Sequence, residues 1–181
     1  MIKVCLDTNA IIDICYRYYP KMVFEGIWNS LLAAVSGGMI KFVVSEDIYQ
    51  EVYGRLLIFK NYSQEPLDYF FELFKVEIIS KDRYGNELLS LQQQLIQDLP
   101  YFLNMKAEKR LKKVVHLNND LSNVAAALLL KSYVLTSEQG FNKDISKEQV
   151  ADLKIPDTCR YKGVMCYSWI ELFNYLEITV P

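Results

Sequence analysis

Histidine is almost missing. The chain of 181 residues has one, His116, beside an apolar run where packing or a helix end is its ordinary role. Cysteine is sparse as well: Cys5, Cys15, Cys159 and Cys166 form no C-x-x-C pair. One histidine and four scattered thiols exclude a zinc site and a disulfide scaffold, and they predict reduced structural thiols in a cytoplasmic protein. No run of about 18 apolar residues occurs, so no membrane-spanning helix is expected. Lys3 and Asp7 leave no apolar stretch that could serve a signal peptide. An excess of positive charge is absent too, with 20 Lys and Arg against 22 Asp and Glu, a formal net charge of −2. That balance excludes a protein basic all over. It leaves room for a local basic patch, or for a site that gathers carboxylates and is neutralised by cations. There is no internal repeat, low-complexity tract or linker.

What is present is enough apolar material for a full core, 51% of residues, with 23% charged, in a length that fits one domain. The chain opens on Ile2-Lys3-Val4-Cys5-Leu6-Asp7-Thr8-Asn9-Ala10-Ile11. The apolar run 2–6 reads as a buried strand. Asp7 follows it, and Thr8 or Asn9 then caps a helix over 10–18 that Pro20 ends. In open α/β sheets ligands bind at the carboxyl ends of strands, which is where Asp7 falls. Further helices are expected at 23–35, stopped by Gly37-Gly38, and at 46–58, capped by Ser45. Others are expected at 67–74, at 87–98 after a turn at Tyr84-Gly85-Asn86, and at 101–115 after Pro100. The last two are at 118–131, capped by Asn118 or Asn119, and at 169–176, capped by Ser168. Strands are expected at 40–44, 76–79, 133–136 and 163–166, and a polar surface loop over 142–162. Strands alternating with helices imply a mostly parallel sheet covered on both faces, a three-layer α/β/α fold. The aromatic set Tyr69, Phe70, Phe71 and Phe74 reads as core rather than as a base-stacking platform.

Asp7, Glu51, Asp120 and Glu138 each stand at or near a border between an apolar and a polar segment. Taken singly, each could be a helix cap or a first-turn partner of the helix dipole. Four carboxylates brought together would repel unless cations occupied the site or some stayed protonated. Oxygen ligands select Mg²⁺ or Mn²⁺, and two such ions can activate water in phosphodiester hydrolysis. The most basic stretch, Lys106, Lys109, Arg110, Lys112 and Lys113, is either a solvated helix face or a contact for a phosphate backbone.

Leu6-Asp7-Thr8-Asn9-Ala10-Ile11-Ile12-Asp13 resembles the opening signature of the PIN-domain ribonucleases. Val43-Val44-Ser45 with Glu51-Val52, Asp120 through Ala127, and Leu135-Thr136-Ser137-Glu138-Gln139-Gly140-Phe141 resemble the blocks that follow. Gly163 to Cys166 and Ser168 to Phe173 are similar to the closing strand and helix. The resemblance is weak between residues 60 and 116, and implies one PIN-like domain over 1–181 with a longer helical insertion there. It implies a Mg²⁺- or Mn²⁺-dependent endoribonuclease acting on single-stranded RNA. Asp7, Glu51, Asp120 and Glu138 would be metal ligands and catalytic acids, and Asn9 and Thr136 would support them. The family's fourth acid is usually aspartate. Here it is Glu138, with Asp144 as a conceivable substitute. Many relatives are toxins covered by an antitoxin, and many are homodimers. The alternative within the same fold is an inactive scaffold that binds RNA or a protein partner. A haloacid-dehalogenase-type phosphatase would want a second aspartate where Asn9 stands, and a receiver domain would want a lysine after a later strand that is not clearly present.

Overall fold

The computed structural model describes residues 1–58 and 61–178. Five strands form one sheet: β1 (Ile2–Leu6), β2 (Ile40–Ser45), β3 (Glu77–Ile79), β4 (Tyr133–Leu135) and β5 (Cys166–Tyr167). Their order is β3-β2-β1-β4-β5, and every pairing is parallel. Parallel neighbours need crossover connections, and helices supply them. These are α1 (Thr8–Ile12), α2 (Glu25–Ser36), α3 (Glu46–Ile58), α4 (Glu65–Leu73), α5 (Lys81–Asp98), α6 (Pro100–Leu103), α7 (Ala107–His116), α8 (Asn118–Leu130), α9 (Ile155–Lys162) and α10 (Trp169–Tyr175).

Successive strand residues face opposite sides of the sheet. Val4 and Leu6 of β1, with Ile40, Phe42 and Val44 of β2, enter a core shared with α1 to α4 and α10. Cys5, Val43 and Val134 enter the other core, built with α5 to α9. Two apolar layers enclosing one sheet make the three-layer α/β/α fold that the alternation of elements predicts. Phe70 and Phe74 of the aromatic run pack against Trp28 and Phe42, with centroids 5.0–6.0 Å apart. All four are almost fully buried, and burying each side chain contributes about 1.5–3 kcal/mol. Tyr69, from the same run, is partly exposed.

The structure departs from the sequence expectations at several helix ends. The first helix begins at Thr8, with Asp7 in the N-cap position. It passes at Asp13 into a π-helical turn, Asp13–Arg17. Tyr84-Gly85-Asn86 is no turn. It lies inside α5, because burying the Tyr84 ring and donating its hydroxyl to Asp47 outweigh the roughly 1 kcal/mol that a helical glycine costs. The helix expected over 101–115 is two helices, α6 and α7, broken at Asn104-Met105-Lys106. Neither Asn118 nor Asn119 caps α8: both lie inside its first turn, and no side chain caps it. The expected surface loop 142–162 contains α9, and it sends Ile145, Val150, Leu153, Ile155 and Cys159 into the second core. The last strand falls at Cys166–Tyr167 rather than at 163–166. At the final helix the expectation holds: Ser168 and Glu171 form a reciprocal capping box. All four cysteines are free.

Candidate active site at the carboxyl ends of the strands

β1 is the central strand, so its carboxyl end is flanked by the ends of β2 and β4. The register pairs Leu6 with Leu135, and one step further the Asp7 amide donates to the Leu135 carbonyl at 2.9 Å. The same step sets Thr136 beside Asp7, and its hydroxyl donates to Asp7 Oδ2 at 2.9 Å. Thr136 Oγ1 also accepts from the Glu138 amide at 3.1 Å. One hydroxyl therefore fixes the inner acid and bends the chain that carries an outer one.

Asp7 is 2% exposed. Its carboxyl is pushed up from 3.8 to about 7, first by burial and then by the charge of Asp120; the Thr136 hydrogen bond pulls it down, and Glu138 and Glu51 add to the rise. Asp120, in the first turn of α8, is likewise raised to about 7 by burial, then by Glu138 and Glu51, against the cations Lys154 and Arg55. The four acids named from the sequence thus act on one another through space.

They are not equivalent. Glu51, on α3, accepts from the Thr8 hydroxyl at 2.9 Å and from Arg55 Nη2 at 2.6 Å. Arg55 also donates to Asn9 Oδ1 at 3.1 Å, so Asn9 supports Glu51 through the arginine. Glu138 Oε2 accepts from the Ile155 amide at 3.0 Å, at the positive end of α9, and Oε1 lies 3.7 Å from Lys154 Nζ. The two glutamates carry cations. Among the described residues, the two aspartates, Asp7 and Asp120, have none in direct contact.

Among the described residues, no three His, Cys, Asp or Glu side chains stand close enough to hold an ion as they are. The donor set nevertheless fits a hard dication. It is all oxygen, two of its acids are held up to about 7 by burial and by repulsion among the acids that a cation would relieve, and Mg²⁺ is commonly held by one or two carboxylates with water completing its shell. Asp144 is outside this group, on the surface with Ser146 and Lys147. Of the basic stretch, Lys112 pairs with Glu108 on the exposed side of α7, while Lys113 reaches Asp152 at 2.9 Å. Arg110 donates to the Met105 carbonyl and helps fasten the start of α7.

Sequence reasoning missed Arg55 and Lys154. The spacing of Glu51 and Arg55 is the i, i+4 signature of a helical ion pair and was readable. Pro156 and Gly163, at the two ends of α9, mark a helix whose N-cap position is Lys154.

The family described as "Domain of unknown function (DUF4411)" matches residues 4–180. Among solved structures the chain is similar to VapBC2 from Rickettsia felis, determined bound to a DNA fragment from their promoter. The TM-score is 0.59 at 15% identity, over 93% of this chain and 99% of that chain. That likeness is one of fold, and the fold is PIN-like. No curated protein matches. No helix among the described residues is long and apolar enough to cross a membrane.

Proposed function

We propose that this chain, which belongs to the DUF4411 family, is a metal-dependent endoribonuclease that hydrolyses phosphodiester bonds of single-stranded RNA. The observation that carries the reading is a pair of aspartates, Asp7 buried at the end of the central strand and Asp120 half-buried in the first turn of α8, both raised to about 7 by burial and neighbouring acids. Such a pair is out of balance until a cation joins it. Asp7 and Asp120 would hold Mg²⁺ or Mn²⁺, with Glu51 and Glu138 on the rim. When bound, the ion supplies a Lewis acid for the phosphate and lowers the pKa of a water. Thr136 holds the Asp7 carboxylate in one orientation. Thr8 and Arg55 hold Glu51, which orients the attacking water. In the reaction the water oxygen bonds to phosphorus and the bond from phosphorus to the leaving sugar oxygen breaks. The leaving oxygen takes a proton, and one water is consumed. The exposed lysines of α7, Lys109 and Lys112, would guide the phosphate backbone, with Lys106 at the start of that helix.

The likeness to VapBC2 supports a protein partner that covers the acidic cleft, as an antitoxin does. A cytoplasmic homodimer is part of the same proposal. A second reading, a non-catalytic scaffold, is favoured by one observation: both oxygens of Glu138 already have partners, Ile155 and Lys154. The test is cleavage of a mixed single-stranded RNA pool in Mn²⁺, Mg²⁺ or EDTA, with Asp7→Asn as control. Cutting that needs metal and disappears in the variant is expected. A folded protein that neither cuts nor takes up Mn²⁺ would establish the scaffold instead.

A further inference from the structure

Lys154 stands out among the cations of the molecule. Its Nζ is 3.7 Å from Glu138 Oε1 and 3.6 Å from Asp152 Oδ2. Both separations exceed a direct hydrogen bond, so its three N–H donors are steered but not consumed. Asp152 is itself pinned: Lys113 Nζ is 2.9 Å from Oδ1, which also accepts from the Tyr101 hydroxyl at 3.2 Å and the Leu153 amide at 3.0 Å. Lys154 occupies the N-cap position of α9 with an extended backbone, directly before the amide that binds Glu138. With Asp120, Leu121 and Ile155 it lines one crevice. Arg55, the other cation acting on the site, is committed to Glu51 at 2.6 Å and to Asn9. Among the described residues, Lys154 thus offers the site an ammonium two-thirds withdrawn from water, held beside Glu138 with donors to spare.

We infer that Lys154 is the second positive charge of the reaction centre, set to bind an oxygen of the scissile phosphate, so that Asp7 and Asp120 need hold only one divalent ion. The inference rests on the nuclease reading. A second dication beside Glu138 would face the ammonium across a few ångströms, and like charges at that range repel strongly. An ammonium in that place can stabilise the charge that builds on the phosphate without giving up a proton. Asp152, Lys113 and Tyr101 then act as positioning residues. They set where the lysine points and touch no substrate.

The test compares wild type, Lys154→Met and Lys154→Arg, each checked for unchanged thermal unfolding. Mn²⁺ binding is measured by calorimetry, and RNA cleavage in saturating Mn²⁺. Wild type should bind one Mn²⁺. Lys154→Met should bind Mn²⁺ more tightly, by about threefold to tenfold, because the competing cation is gone. The same variant should cut at least roughly a hundredfold more slowly, the usual loss for one charge-stabilising donor, and Lys154→Arg should recover part of the rate. Opposite movement of binding and rate is the signature, since a merely structural lysine would lower both. Unchanged cleavage in Lys154→Met, or two tight Mn²⁺ ions in wild type, would overturn the inference while leaving the nuclease standing. Wild type that neither binds Mn²⁺ nor cuts RNA would overturn both.

Discussion

Replacing Asp7 by asparagine should stabilise the metal-free protein at pH 8 and fail to do so at pH 5. The Asp7 carboxyl rises from 3.8 to about 7 on folding, chiefly through burial and the charge of Asp120. Between those values the folded chain keeps a proton that the unfolded chain has released, so stability falls as pH climbs through the window. Above about 7 the whole penalty is present; below the ordinary carboxylate range it vanishes. The rise corresponds to about 4 kcal/mol at about 1.36 kcal/mol per pH unit, an upper bound because Asp7 and Asp120 titrate together. Asparagine removes the charge and can still accept from Thr136, but its buried NH₂ lacks an acceptor, which costs about 1–3 kcal/mol. The net gain at pH 8 is about 1–2 kcal/mol, or a Tm increase of about 3–6 °C for a chain of this size. The assay is thermal unfolding of wild type and variant in EDTA from pH 5 to 8.5. The difference should be zero or negative at pH 5 and change sign as pH approaches 7. Adding Mn²⁺ at pH 8 should raise the wild type alone. A variant destabilised equally at both pH values would refute the claim that an unrelieved charge sits at the end of β1.

Two further expectations concern the neighbourhood of the site. A Cβ on Gly140 would lie 2.8 Å from Asp157 Oδ1, within the carboxylate that binds the Phe141 amide at 3.0 Å. Gly140→Ala should therefore lower stability by about 1–3 kcal/mol, read as a shifted denaturation midpoint, and an unchanged midpoint would show that Asp157 moves freely. Reversing charge in Lys109→Glu with Lys112→Glu should weaken binding of single-stranded RNA in EDTA and flatten its salt dependence, with folding intact. Equal salt slopes in variant and wild type would remove α7 from the RNA path.

The strands were legible because they depend on local pattern, whereas the four acids stood out only once the family resemblance was added to their places at the borders of apolar segments. Val4, Leu6, Phe42 and Val134 sit in short apolar runs that end in a polar residue, and such runs read as buried strands wherever they pair. What stayed hidden depends on distant contacts. Gly85 and Asn86 look like a turn until Tyr84 is seen to bury itself and reach Asp47, 37 positions away. The segment 142–162 looks like polar surface because its apolar residues are widely spaced, and only packing against α8 shows that Ile155 and Cys159 line one side of a helix. Lys154 had no local signal as a site residue. Its meaning comes from Glu138 in front of it and from Asp152 and Lys113 behind.

The parallel sheet also sets a clock. Asp7 precedes the hydroxyl that orients it by 129 residues, and Glu138 precedes the Ile155 amide that it binds by 17. The Thr136 hydroxyl and the Leu135 carbonyl reach Asp7 only across crossovers, and loops of that length close slowly. A growing chain therefore carries its acids scattered and inert. The cluster comes together only when the segment carrying Thr136, Glu138 and Ile155 has docked against β1, so on the nuclease reading a chain folded only through α3 would have no assembled site.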